Sequence, residues 1–477
     1  MRKKPKAWHV AGASWRLVLL LCMGLTGAIA APAAASTATP GWLAAADHGQ
    51  SDISRQAQLA TEGYLEQEWK LLGQAQPYTT DGDWGKDGRW AVKPQGATQS
   101  YETRVVVRRP QDPARFNGTV VVEWLNTALG FDLDGGWILA RDEIVREGYA
   151  WVGVSTESDS VLSLKKANPI RYAQAKVAHD SLSYDIYTQA ARAIRQAASQ
   201  WGTPTSPRVR LLAQGYSQSG SYLITYINAF QPVTHAFDGF YLLSTAAVAM
   251  PIDDKGARIF GPQYRTEPQA PVIQVSTEME VMVGWQLSKT PDTDSLRHWE
   301  IAGASHFDKH VQAQTLTAGD HGARLFMPHC FKPSNTLPSR LFNHAALHAL
   351  RTWASVGTPP PIAPRMQRNS LGFIQNDDVG NALGGLRLPD LDVPLAQYGM
   401  YSNFPSSQIS FWSGYACIAG GSANPLDDDT LRKRYPSDQA YWLAYKQAAD
   451  KLLTAGFLRP ADHARLLEQA QSVKLPH

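Results

Sequence analysis

Short apolar runs alternate with segments of helical period along most of this chain. Val105 to Val107 and Thr119 to Leu125 read as strands, the second apolar at consecutive positions and so buried on both faces. Trp137 to Glu147 has apolar residues at helical spacing, and Ala150 to Ser155 is strand-like again. Asp185 to Gln200 is helical until Gly202 and Pro204 end it. Val209 to Ala213 is the next strand. Gly215 to Gly220 follows it directly and leads into an apolar helical run to Phe230. Phe240 to Ser244, Val272 to Val275 and Trp299 to Ile301 are three further short strands. Strands separated by helices pair in parallel through right-handed crossovers. The pattern therefore predicts an α/β fold: a doubly wound, mostly parallel sheet with helices on both faces. In such sheets the chemistry sits at the carboxyl ends of the strands.

The pattern weakens at both ends. Residues 36–100 are polar, punctuated by tryptophan and without a clear period. From Pro333 onward Pro and Gly are frequent, and the tail reads as loops draped over the sheet. It ends in two helices, Ser437 to Ala455 and Pro460 to Ser472. The expected division is a secretion signal over 1–35, an N-terminal extension over 36–100 and a core over 101–330. A long C-terminal extension over 331–477 packs on the same domain.

The first 35 residues begin with Arg2, Lys3, Lys4 and Lys6 and continue in an apolar run from Leu17 to Ile29. Small residues follow around Ala28-Ile29-Ala30 and Ala33-Ala34-Ala35. This is the make-up of an export signal and predicts a secreted or periplasmic protein with no stable membrane insertion after cleavage. An uncleaved anchor is the competing reading, but a membrane span needs about 20 apolar residues. Leu21, before Cys22, stands where a lipoprotein signal wants a small residue.

Composition changes the picture in three ways. Of the 477 residues 44% are hydrophobic and 18% charged, which excludes a disordered or fibrous chain. The net charge of +3 is produced by the leader: taking its five basic residues from the 45 leaves 40, against 42 acidic ones. Nucleic-acid binding thereby loses its electrostatic argument. Of three cysteines only Cys330 and Cys417 remain after the leader. In an oxidising compartment they form a candidate disulfide, with two buried free thiols as the alternative. Such a bridge would pin the tail near the catalytic pocket. The absence of a CxxC pair argues against a structural zinc of that kind.

Gly215-Tyr216-Ser217-Gln218-Ser219-Gly220, after a strand and before a helix, is the sharpest local signal. A serine nucleophile needs a strained strand-to-helix turn with small residues two before and two after it. Gly215 and Ser219 supply them around Ser217, although glycine is usual at the second place. Ser219 as nucleophile would have no flanking glycine. The base and its orienting acid follow in the order acid, then histidine. His306 ends Trp299-Glu300-Ile301-Ala302-Gly303-Ala304-Ser305-His306 at a strand's end. His310, four residues on, suggests a metal pair, but the glutamate of a zinc-protease helix is missing and no third ligand is evident. The acid comes from Thr277-Glu278-Met279-Glu280. Glu280 lies farther past the strand and is favoured, with Glu278 as the alternative. The oxyanion hole should use the backbone N–H of Gln218 and that of Asn126 or its neighbour Thr127.

The order Ser217, Glu280, His306 on successive strand ends resembles the α/β-hydrolase superfamily. More narrowly, the chain is similar to secreted bacterial α/β-hydrolase-domain proteins with a Gly-x-Ser-Gln-Ser-Gly elbow. The likeness includes Trp124-Leu125-Asn126, Ser183-Tyr184-Asp185, Thr277-Glu278 and the run Trp299 to His306. It continues through Gly380-Asn381, Gly384-Gly385-Leu386-Arg387 and Val393-Pro394. Members often carry aspartate where Glu280 stands. The resemblance implies an α/β-hydrolase fold and a serine hydrolase acting without cofactor or metal. Its expected partner is a small-molecule or polymeric ester.

The same chemistry also serves acyl transfer, and a non-catalytic binding protein on a hydrolase scaffold is a third reading. Such scaffolds usually lose the serine or the histidine, and this chain keeps both. Ser163-Leu164-Lys165-Lys166 and Tyr401-Ser402-Asn403 match two elements of penicillin-recognising serine enzymes. The third, Lys-Thr-Gly, is missing.

Overall fold

The strand Thr119–Trp124 has all six residues buried, as a continuous apolar run requires, because helices cover both of its faces. Val120, Val122 and Trp124 point into one half of the core, while Val121 and Leu125 point into the other. It lies at the centre of a nine-stranded sheet seen in a computed structural model that describes residues 41–44, 51–203, 208–253, 256–265, 267, 270–285, 291–316, 330–402 and 417–476. The proposed secretion signal, residues 1–35, lies outside the described residues.

In chain order the strands are β1 (Gly41–Ala44), β2 (Tyr64–Ala75), β3 (Gln99–Pro110), β4 (Thr119–Trp124), β5 (Ala150–Val154), β6 (Arg210–Tyr216), β7 (Gly239–Leu243), β8 (Val272–Thr277) and β9 (Leu296–Ile301). Their order in the sheet is β1-β2-β3-β5-β4-β6-β7-β8-β9. From β5 to β9 every pairing is parallel, and β1, β2 and β3 join antiparallel at one edge. The helices used below are α1 (Gly135–Glu147), α2 (Ser183–Ala198), α3 (Gln218–Thr225), α4 (Arg340–Val356), α5 (Asp438–Thr454) and α6 (Pro460–Gln471). On one face α1 and α4 share a core with Val121, Leu212, Tyr241 and Ile273. On the other, α2 and α3 meet Val122, Leu211, Ala213 and Leu242.

Two sequence expectations need correction. The stretch 36–100 holds β2, twelve residues paired with β3 along their whole length. It shows no alternation because most of its positions are only partly buried and a single register of apolar side chains never forms. The tail is more than draped loops, since α4 runs for 17 residues against α1 and the sheet. Its Phe342, Ala346, Leu350 and Trp353 do repeat at helical spacing, but Pro338 and the run Pro359-Pro360-Pro361 on either side mask the signal.

The tail also closes the sheet's far edge. Leu386 bridges to Ile301 of β9, donating its N–H to the Glu300 carbonyl (2.7 Å) and accepting from Ala302 N–H (3.0 Å). Trp299 donates its indole N–H to the Pro361 carbonyl (3.2 Å) and stacks edge-on against Phe457. An edge strand satisfied in this way offers no template to another chain. A disulfide joins Cys330 to Cys417, whose Cα atoms are 5.5 Å apart. Residues from Ala35 onward form one compact unit.

Candidate active site

β6 ends at Tyr216 and α3 begins at Gln218, so Ser217 alone makes the turn, with φ of +58°. A side chain at positive φ costs about 1–2 kcal/mol, and the crowding around this turn holds it there. A Cβ on Gly215 would lie 2.7 Å from the Gly220 nitrogen, and one on Gly220 would lie 1.8 Å from Thr245 Oγ1. Glycine is thus required at both places. Ser219, between them, is fully buried: its hydroxyl accepts from Tyr216 N–H (2.9 Å) and lies 3.0 Å from the Tyr216 carbonyl. It staples the elbow together and does not face the cavity, whereas Ser217 lines it.

That cavity, about 250 Å³, gathers residues from four strand ends. Ser217, Gln218 and Ser221 come from the elbow, Ser244 from the end of β7, Met279 and Glu280 from beyond β8, and His306 from beyond β9. His306 Nδ1 lies 2.6 Å from Glu280 Oε1. The other oxygen of Glu280 accepts from Thr277 N–H (2.9 Å) and from the Thr277 hydroxyl, closing a capping box at the turn after β8. Burial acts to raise the Glu280 pKa. Its contact with His306 and the two Thr277 hydrogen bonds outweigh burial and hold the carboxyl below the ordinary carboxylate range.

Glu278 points elsewhere. It accepts from the Gly303 N–H (2.9 Å), and burial pushes its carboxyl up to about 7. It lines a second cavity, of about 270 Å³, with Met282, Lys332, Phe373, Gln397 and Tyr401. The turn at residues 278–282 is therefore a wall between two hollows, with the two glutamates on opposite sides. The His306 loop is braced from the tail: Phe307 N–H donates to the Ala419 carbonyl (2.7 Å) and the Ser305 hydroxyl to the Gly420 carbonyl (3.2 Å). Tyr216 donates its hydroxyl to the His306 carbonyl (2.6 Å).

The oxyanion expectation needs one correction. The backbone N–H of Asn126 is committed to the Leu133 carbonyl (3.2 Å) and is not available to a substrate. Asn126 instead donates its side-chain amide to the Tyr216 carbonyl (2.6 Å) and accepts from Ala128 N–H (2.8 Å), locking the loop after β4 to the elbow. Thr127 is next in line. Its hydroxyl lies within hydrogen-bonding distance of Glu157 (3.1 Å) and of the Gln218 side chain (3.3 Å).

Glu157 was not singled out by the sequence. It is fully buried, accepts from Trp124 (3.0 Å), and is pushed up to about 8, chiefly by burial. Its only sequence signal is a charged residue following a strand. His310 does not join His306 in any cluster with metal-ligand geometry among the described residues. The one such group is Glu143, Glu147 and His348, and Arg146 and Arg459 already pair with its carboxylates.

A family model described as an alpha/beta hydrolase domain matches residues 29–468. The chain belongs to that family. Among solved structures, this α/β hydrolase is similar to esterase Est22: one Est22 chain aligns at 14% identity with a TM-score of 0.25, over 42% of this chain and half of that one. One chain from a structural analysis of two fungal esterases from Rhizomucor miehei aligns at 12% identity and a TM-score of 0.34, over 64% of this chain and 90% of that one. XC6422 from Xanthomonas campestris, a serine hydrolase without lid, aligns at 12% identity and a TM-score of 0.30, over 47% and 88%. Among curated proteins none matches. Between β7 and β8 this α/β hydrolase carries a small hairpin, Val248–Ala249 paired with Ile259–Phe260. Its Val248, Phe260 and neighbouring Met250 wall the cavity.

Proposed function

We propose that the protein is an exported serine hydrolase that cleaves carboxylic esters through an acyl-enzyme. The observation that carries this reading is the convergence of Ser217 and His306 on one cavity, with His306 Nδ1 held 2.6 Å from Glu280, whose other oxygen is fixed by Thr277. Glu280 fixes the imidazole so that Nε2 serves as the base and stabilises the positive charge that forms there. His306 takes the Ser217 proton as Oγ attacks the ester carbonyl, then returns it to the departing alkoxide. Water, activated by the same imidazole, releases the acid and restores Ser217.

Negative charge on the tetrahedral oxygen would be met by the N–H of Gln218, at the first position of α3, and by that of Thr127. Asn126 is a positioning residue in this scheme. Esters are favoured over amides because an alkoxide needs less help from the acid in leaving. The apolar leader and the Cys330–Cys417 bridge support export to an oxidising compartment. No helix among the described residues is long and apolar enough to cross a membrane.

A fluorophosphonate probe on the purified mature protein tests the reading. Labelling mapped to Ser217, and lost in His306→Ala, is the expected result. Ser217→Ala should reduce hydrolysis of 4-nitrophenyl butyrate by about 10⁶-fold with its melting curve retained. Labelling at Ser219, or none on the folded protein, overturns it.

A further inference from the structure

Among the described residues, the lining of the catalytic cavity holds one cation besides the imidazole, Arg258. It sits on the hairpin between β7 and β8, immediately before Ile259, with an exposed side chain that has no hydrogen-bond or ion-pair partner among the described residues. Among the described residues the only carboxylate in the lining is Glu280, and both its oxygens are engaged by His306 and Thr277. No described residue of the lining therefore neutralises Arg258. Around it the wall is apolar: Val248, Met250, Phe260 and Met279. A simple alkyl or aryl ester would be served by that wall alone and would leave the guanidinium unused.

An unpaired guanidinium in a cleft with low-dielectric walls raises the local concentration of anions, and its planar fork matches a carboxylate with two parallel hydrogen bonds. We infer that the preferred substrate is an ester bearing a separate carboxylate, which Arg258 binds while the ester carbonyl reaches Ser217. The inference rests on the serine-hydrolase reading and narrows its substrate class. Arg258 takes no part in bond making. It contributes attraction and orientation, so its effect belongs in KM and in the salt dependence of kcat/KM.

Two matched pairs of esters test it. 4-Nitrophenyl hemiglutarate against 4-nitrophenyl valerate places the charge on the acyl side. 4-Carboxyphenyl butyrate against 4-carbamoylphenyl butyrate places it on the alcohol side. For one pair the wild-type protein should favour the anion by roughly fivefold to tenfold in kcat/KM. That ratio should fall to about one in Arg258→Gln and in roughly 1 M salt, where the screening length is about 3 Å. It should drop below one in Arg258→Glu, with melting temperatures checking that the variants fold. Wild-type ratios near one for both pairs overturn the inference, and so does a preference that survives Arg258→Gln. Failure to hydrolyse the neutral esters as well, together with no fluorophosphonate labelling, overturns the hydrolase reading itself.

Discussion

Two glutamates two positions apart, Glu278 and Glu280, end in opposite environments, and the turn between them explains why. Thr277 caps the turn and draws in the carboxylate three positions on, so Glu280 faces His306 while Glu278 turns to the Gly303 amide. The Thr-x-x-Glu pattern was present in the sequence as a capping signal, and it could have ranked the two acids. What the sequence could not carry was the far partner, His306, brought in from another strand end. The pH response follows from these environments. Glu278 is raised to about 7 from 4.5, so folding takes up a proton between those values and stability falls as pH rises through them. Glu278→Gln should therefore gain about 1–3 kcal/mol over wild type at pH 8 and little at pH 4.5, read from chemical denaturation at both. Glu280, held below its usual range, has the opposite sign: its contribution is present at neutral pH and is lost as pH falls.

The elements that bear the site were legible where burial is two-sided or periodic, as in β4, β6, α1 and α2, and hidden where a segment is half-covered, as in β2. α4 belongs to neither case, because proline flanks concealed a regular repeat. At the elbow the departure from the usual glycine spacing now has a physical reason. Ser219 replaces a glycine because its hydroxyl ties Tyr216, and Gly220 gives α3 its close approach to Thr245. Alanine is the better helix former by about 1 kcal/mol, yet Gly220→Ala should destabilise by about 1–3 kcal/mol, since its methyl group meets Thr245. Denaturant titration gives the difference. A gain in stability would show that the elbow relaxes freely.

Across the whole molecule, residues far apart in sequence assemble one loop. Ala419 and Gly420 hold the segment carrying His306, and only Ile418 separates them from Cys417, which the disulfide anchors to Cys330 across 87 residues. The paired cysteines were legible from compartment and count, but the carbonyls that brace the loop were not, because backbone contacts leave no mark on residue type. In the chain-entropy picture a closed loop of that length contributes about 4–5 kcal/mol. Cys330→Ser/Cys417→Ser should lower the unfolding free energy by about that amount, and its activity should be lost on warming before the sheet unfolds, as compared by turnover and circular dichroism. Retained activity through the sheet's transition would show that the bridge does not support the loop. The arrangement has a consequence in time as well as in space. A chain that has already delivered the elbow, the acid and the histidine still lacks the strap that seats the histidine, so the proposed site is completed only when the segment from Cys417 onward folds back.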